Sequence, residues 1–162
     1  MADMLNFDNV LKVLQDYAVE VRNLYQDSLI RHDRIASGGL LNSAECRVDV
    51  GDRSFEVVMT LEDYWRYVEE DTRPHWPPVP AILRWVQIKP VIPRPDAAGR
   101  IPTPRQLAYL IGRKIATRGT KGSHDLADAV AEMNSRYRER LSEALGADIS
   151  AYITYVFKNA MQ

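Results

Sequence analysis

Apolar residues recur at spacings of three and four along the first part of the chain: Phe7, Val10, Leu11, Leu14, Tyr17, Ala18, Val21, Leu24 and Tyr25. That spacing is one face of an amphipathic helix and predicts one over about residues 6–30. Asp8, Asp16, Glu20 and Asp27 fall on its other faces. At ~1.5 Å per residue such a helix is ~37 Å long, more than a small domain needs to cover its own core. Part of the stripe, around Leu14, Val21 and Tyr25, is therefore expected to meet another subunit.

After Ser37-Gly38-Gly39 and a short turn or helical piece at 40–43, the period changes. Residues 46–50 alternate, Gly51-Asp52 supplies a turn, and residues 54–61 are again β-rich. Two such runs around a Gly-containing turn predict an antiparallel hairpin over about 45–61. Phe55, Val57 and Met59 share one face of its second strand. Residues 61–70 predict a short helix with Glu62 and Asp63 in its first turn, where the helix dipole favours anions. Pro74, Pro77 and Pro78 stiffen the loop that follows, and Pro80 suits the first turn of another short helix through Val86. The proline-rich stretch 90–102, with Gly99, reads as an extended loop whose length points to function or partner contact.

Thr103-Pro104 is a helix start, with Thr as N-cap and Pro at the first helical position. Leu107, Ala108, Leu110, Ile111 and Ile115 form its apolar stripe, and Gly119 is a natural C-cap. After the turn 119–122, Ser123 or His124 begins a further helix with Ala127, Val130, Met133, Tyr137 and Leu141 as its buried stripe. Gly146 is expected to end it. Residues 149–157 are apolar and β-rich enough for strand or helix, with helix favoured.

Composition narrows the class. With 162 residues the chain fits one domain, 1–162, large enough to bury a core without staples. Hydrophobic residues at 46% and charged residues at 27% argue against disorder or a fibrous repeat. The single cysteine, Cys46, excludes a disulfide framework. No run approaches ~18 apolar residues, and the N-terminus has no basic segment followed by an apolar one. A soluble protein made in the cytoplasm is expected, without membrane contact.

The candidate chemistry is thin. Glu69, Glu70, Asp71 and His75 cluster, but no second His or Cys stands at ligand spacing, and a solvated acidic helix end is the better reading. His32 and His124 are isolated beside Asp33 and Asp125, with no nucleophile to complete a triad. Gly119-Thr120-Lys121-Gly122 follows a helix and lacks the spacing of a phosphate loop. Helix, turn and helix over 103–142 place Asp125 and Asp128 where a recognition helix would meet phosphates, which argues against sequence-specific DNA binding. Tyr64, Trp65, Tyr67, Trp76 and Trp85 are expected in core plus interface. No enzyme, cofactor or metal is expected.

Charge is the sharper signal. The net charge is −1, yet residues 1–71 hold 15 acidic and 7 basic side chains, and residues 72–162 hold 7 acidic and 14 basic. A split of −8 and +7 suits head-to-tail association, in which one subunit's acidic surface meets its neighbour's basic surface and rings close when the rotation permits. The alternative is that the halves intermix and neutralise each other within one subunit.

Three stretches in order after the long helix carry a resemblance: Asp33-Arg34-Ile35-Ala36-Ser37-Gly38-Gly39-Leu40-Leu41-Asn42-Ser43, then Tyr64-Trp65-Arg66-Tyr67-Val68-Glu69-Glu70, then Ile111-Gly112-Arg113-Lys114-Ile115-Ala116-Thr117-Arg118-Gly119-Thr120-Lys121-Gly122. Over about residues 5–122 the chain resembles the head–tail connector, neck and tail-completion proteins of tailed bacteriophages. Glu70-Asp71 stands where that pattern often has a Gly. The resemblance implies a small α+β protein, its long N-terminal helix and further helices packed on a small antiparallel sheet. It further implies a ring of six or twelve copies under the portal, lining the DNA channel at the head–tail junction of the virion. The partners would be further copies, portal or other neck proteins and tail proteins, with non-specific DNA contact and no catalytic residues. Candidate interface groups are the helix stripe Leu14, Val21 and Tyr25, the proline-rich loop with Arg94 and Arg100, and the basic turn with Arg118 and Lys121. Glu69, Glu70 and Asp71 are expected to meet that turn in a neighbouring subunit. An alternative function is a nucleic-acid-binding module built on 105–121 with Arg113, Lys114 and Arg118.

Overall fold

The computed structural model describes residues 6–52, 54–89, 91–95 and 97–160, so Pro90 of the proline-rich loop lies outside it. Helix dominates, at 62%, beside one two-stranded antiparallel sheet, an α+β fold. The elements in order are α1 (Asp8–Arg31), α2 (Gly39–Ser43), β1 (Glu45–Val50), β2 (Phe55–Thr60), α3 (Trp65–Glu69), α4 (Val79–Ile88), α5 (Pro104–Arg118) and α6 (Asp125–Ala160). Among the described residues no helix is long and apolar enough to cross a membrane.

These elements group into two compact units interleaved in sequence. The first holds Met1–Ser28, Ala44–Thr60 and Leu126–Gln162, and the second holds Leu29–Ser43 and Leu61–Asp125. Because the chain passes from one to the other four times, neither unit is a continuous segment.

In the first unit α1 and α6 pack along each other. Tyr17 meets Tyr137 edge to face with ring centroids 5.3 Å apart, and its hydroxyl donates to Asn134 Oδ1 at 2.9 Å. Arg140 reaches Asp16 at 3.0 Å and lies over the Tyr137 ring. The stripe of α1 that the spacing predicts is partly withdrawn from the surface: Val10, Tyr17, Ala18, Val21 and Tyr25 are buried, while Leu14 is half-buried. In the hairpin Glu45 faces Thr60 and Val50 faces Phe55, and the Phe55 ring sits edge-on to Phe7.

Asp148 ties the start of α1 to α6. Its buried carboxylate accepts from Val10 N at 3.0 Å, from Asn9 N at 3.3 Å and from the Asn9 side-chain amide at 2.6 Å. Those backbone amides belong to the first turn of α1, where no intrahelical acceptor exists. Burial pushes the Asp148 carboxyl up, but the bonds from Val10 and Asn9 outweigh it and hold the group below its usual value.

Gly146 does not end α6. The helix runs 36 residues to Ala160 and includes 149–157, so of strand and helix it is helix that forms. A lone glycine costs a helix only about 1 kcal/mol, and no contact forces a break here. The fixed Asp148 two residues on holds the helical path through it. The buried stripe is Ala129, Met133, Tyr137 and Ala144, with Val130 and Leu141 half-buried and Ala127 exposed. The stripe advances by fours from Ala129 to Leu141 and by three to Ala144, and Ala127 lies off it.

In the second unit α5 begins as its sequence predicts. Thr103 and Gln106 form a reciprocal capping box, Pro104 opens the helix, and Gly119 closes it at φ 70°. Ala108 and Gly112 are its buried positions, whereas Leu110 is exposed. A Cβ at Gly112 would meet Pro77 at 3.8 Å, an ordinary van der Waals distance. In α3 the expected acidic first turn is absent, because the helix starts at Trp65 and Glu62 and Asp63 precede it in a turn. Glu62 N is instead accepted by Ser43 Oγ at 3.1 Å.

Candidate functional site

The basic turn and the acidic segment, 48 or more residues apart in sequence, meet within the second unit. Thr72 N donates to Thr120 O at 2.9 Å, Thr120 N donates to Thr72 Oγ1 at 3.0 Å, and the two hydroxyls lie 2.7 Å apart. Gly122 N donates to Asp71 Oδ1 at 2.7 Å, and Ser123 N and His124 N donate to the carbonyls of Val68 and Glu69. Two glycines make the approach possible. A Cβ on Gly119 would lie 1.9 Å from Thr72 O, and one on Gly122 would lie 2.2 Å from Glu69 O. His124 completes the turn at φ 58°, a conformation that a non-glycine residue adopts only when its surroundings hold it there.

This geometry corrects two expectations. Glu69 is buried, so 69–71 is no solvated helix end, and Asp71 is engaged by its own chain's turn, not reserved for a neighbour's. The reason is backbone satisfaction: buried amides of the turn need acceptors, and the end of α3 supplies them. Only Glu70 and Asp71 of the three remain exposed.

His32 and His124 are also partnered, each by an acid distant in sequence. His32 Nδ1 lies 2.6 Å from Asp125 Oδ1, with Asp125 only 1% exposed, and His124 Nε2 lies 3.5 Å from Asp71 Oδ1. His32 is at the end of α1 and Asp125 at the start of α6, so each partner sits where a helix dipole favours it. Lys89 pairs with Asp33, another positive-φ residue at 52°, at 3.0 Å. The sequence signal for both His pairs was lost because each acid lies about 50–90 positions away, not beside its histidine.

The remaining predicted groups scatter over the surface. Arg94, Arg100, Arg113, Lys114, Arg118 and Lys121 are all exposed. Val21 and Tyr25 are buried, which leaves Leu14 as the accessible member of the helix set. The aromatic group is not core: Tyr64, Tyr67, Trp76 and Trp85 are exposed, and Trp76 packs edge-on against Tyr109 of α5 at 5.7 Å. Arg105 and Arg113 stand one turn to either side of Tyr109 and are also exposed.

A cavity of about 150 Å³ lies among Leu29, Ile35, Leu40, Val68 and Trp85, and a more open cleft of about 380 Å³ lies along α1 and α6 among Asn9, Lys12, Asp16, Arg140 and Glu143. Among the described residues no group of three or more His, Cys, Asp or Glu side chains is placed to hold a metal ion.

Spatial grouping keeps the charge split. The first unit holds 14 acidic and 8 basic side chains, or −6, and the second holds 8 and 13, or +5. The halves of the sequence do exchange some charge in space, and Asp71 in the basic turn is one instance. The two compact units nevertheless remain of opposite sign.

Compared with protein-family models, curated proteins and solved structures, the chain matches none.

Proposed function

We propose that the protein is a structural subunit of a bacteriophage neck. It forms a ring of six or twelve copies that joins portal or head to tail at the head–tail junction of the virion. Its action is assembly, not catalysis. The observation that carries this reading is the division into an acidic unit of −6 and a basic unit of +5 within one chain. Opposite patches on one molecule attract head to tail, and repeated heterologous contacts close into a ring. Arg94, Arg100, Arg113, Lys114, Arg118 and Lys121 are exposed basic groups of the basic unit. Leu14 is the accessible member of the helix stripe in the acidic unit, whereas the exposed Glu70 and Asp71 belong to the basic unit.

Native mass spectrometry at low salt tests the reading. The expected result is closed rings that Arg118→Glu with Lys121→Glu weakens while the monomer stays folded. Assembly unchanged by the double reversal would overturn the charge-driven contact, and a strict monomer with portal and tail proteins present would overturn the ring.

A second reading draws on Arg105, Tyr109 and Arg113, an exposed aromatic flanked by cations and backed by Trp76. Aromatic faces between cations suit single-stranded nucleic acid. On that reading affinity for DNA falls steeply with salt, and absence of binding at low salt removes it.

A further inference from the structure

The last four turns of α6 carry an apolar face that the chain's own core does not use. Leu145, Ile149, Ile153 and Phe157 recur at every fourth residue, with Val156 beside them, and these five are 40–63% exposed. Tyr152 is half-buried on the same side. At 100° per residue this stripe stands about a quarter turn around the helix from Ala144 and Asp148, which are buried. Leu145, Ile149, Tyr152 and Val156 follow a 4-3-4 spacing, the seam by which one helix packs on another.

The chemistry of the face decides its occupant. From 145 to 160 the charged residues are Asp148, committed to the α1 amides, and Lys158. Nucleic acid or an anionic membrane surface would need Lys and Arg along the face. A charged protein would lose its own hydration here and gain no ion pair. A second copy brings the same uncharged seam and no like-charge repulsion. The exposed apolar area is on the order of 500 Å² per copy, so self-pairing buries about 1,000 Å², the size at which a specific interface begins.

We infer that the 145–157 face of α6 is a self-association surface that takes the same face of a second copy as an antiparallel helix pair. Leu145 then lies against Val156, and Ile149 against Tyr152. The N-terminal half of α6 is already occupied by α1 through Tyr17 and Asp16. Antiparallel pairing keeps those occupied halves at opposite ends, whereas parallel pairing would bring them side by side. This contact is isologous and apolar, independent of the heterologous, charged contacts of the proposed ring. Being two-fold, it would join one head-to-tail ring to a second and would not lie between neighbours within a ring.

Sedimentation equilibrium of the full chain at low and high salt provides the test, with Ile149→Ser/Val156→Ser, Ile153→Lys and Arg118→Glu/Lys121→Glu compared by circular dichroism and association. The expected result is reversible dimerisation that persists at high salt, because burial of apolar surface is not screened. Ile149→Ser/Val156→Ser weakens it about tenfold or more with helicity retained. Ile153→Lys, at a more exposed position, does the same should the double variant lose helix. The charge-reversal variant keeps the salt-resistant dimer. No association at high salt, or association unchanged in the seam variants, overturns the inference. Loss of a salt-sensitive assembly in Arg118→Glu/Lys121→Glu alone concerns the ring contacts only.

Discussion

The two units hold sequence-distant segments together by different physics. In the acidic unit a single buried carboxylate, Asp148, spans 138 residues to terminate α1 at Val10 and Asn9. In the basic unit the tie between 68–72 and 119–124 joins three backbone-to-backbone bonds to side-chain bonds of Thr72, Thr120 and Asp71, in an approach made possible by the absence of side chains at Gly119 and Gly122. A charge-based tie answers to pH and tolerates small changes in shape. A close backbone approach tolerates almost none.

That contrast is broken most forcefully at Gly122. Gly122→Val places a Cβ 2.2 Å from Glu69 O and 2.5 Å from the Glu70 carbonyl carbon, with backbone on both sides unable to yield. A loss of about 3 kcal/mol or more is expected, and urea unfolding followed by circular dichroism measures it.

Asp148→Ala comes next. It leaves first-turn amides of α1 without their acceptor and costs about 1–3 kcal/mol near neutral pH. Its cost depends on pH in a direction the bonds dictate. The folded carboxyl titrates below its unfolded value of ~3.9, so between the two values the unfolded chain binds more protons and stability rises with pH. The contribution is complete above ~pH 4 and vanishes as pH falls through the folded value, so wild type and variant converge in acid. A gap that stayed constant down to strong acid would show that Asp148 acts by shape alone.

Thr103→Ala sharpens the comparison on a local scale. It removes one half of the capping box of α5 and is expected to cost about 1 kcal/mol without altering the tie at Gly122, as read from urea midpoints of single and double variants. The smallest effect is kinetic. Burial, opposed in part by Arg22 and the Arg47 amide, pushes the Cys46 thiol up, so little thiolate is present at neutral pH. Reaction with a thiol reagent is expected to be slower in the folded chain than in urea. Equal rates would place the thiol in solvent.

Signals that live within a few residues were legible in the sequence. Thr103, Pro104, Gln106 and Gly119 mark both ends of α5, the Gly51 turn sets the hairpin, and the α1 stripe has the right period. Gly146 misled because a glycine stops a helix only when something asks it to, and what overruled it, Asp148 on α1, is a contact of high sequence separation. The same blindness hid the site. The charge pattern placed Asp71 and the basic turn on opposite partners, since one-dimensional charge carries no information about which amides will be buried without acceptors. His32 was read beside Asp33 when its partner is Asp125. Burial of Val21 and Tyr25 was unreadable for the complementary reason: a stripe long enough for two uses does not say which part serves which.

The interleaving of the two units sets an order on their completion during synthesis. All segments of the basic unit have left the ribosome once Asp125 emerges, while the acidic unit still waits for Leu126–Gln162. At ~5–20 residues per second that wait lasts roughly 2–7 s. Through it α1 has neither its capping carboxylate nor the tyrosine that packs on Tyr17. The earliest translated helix is thus among the last to be secured, and a nascent chain spends those seconds with its acidic half open and its basic half complete.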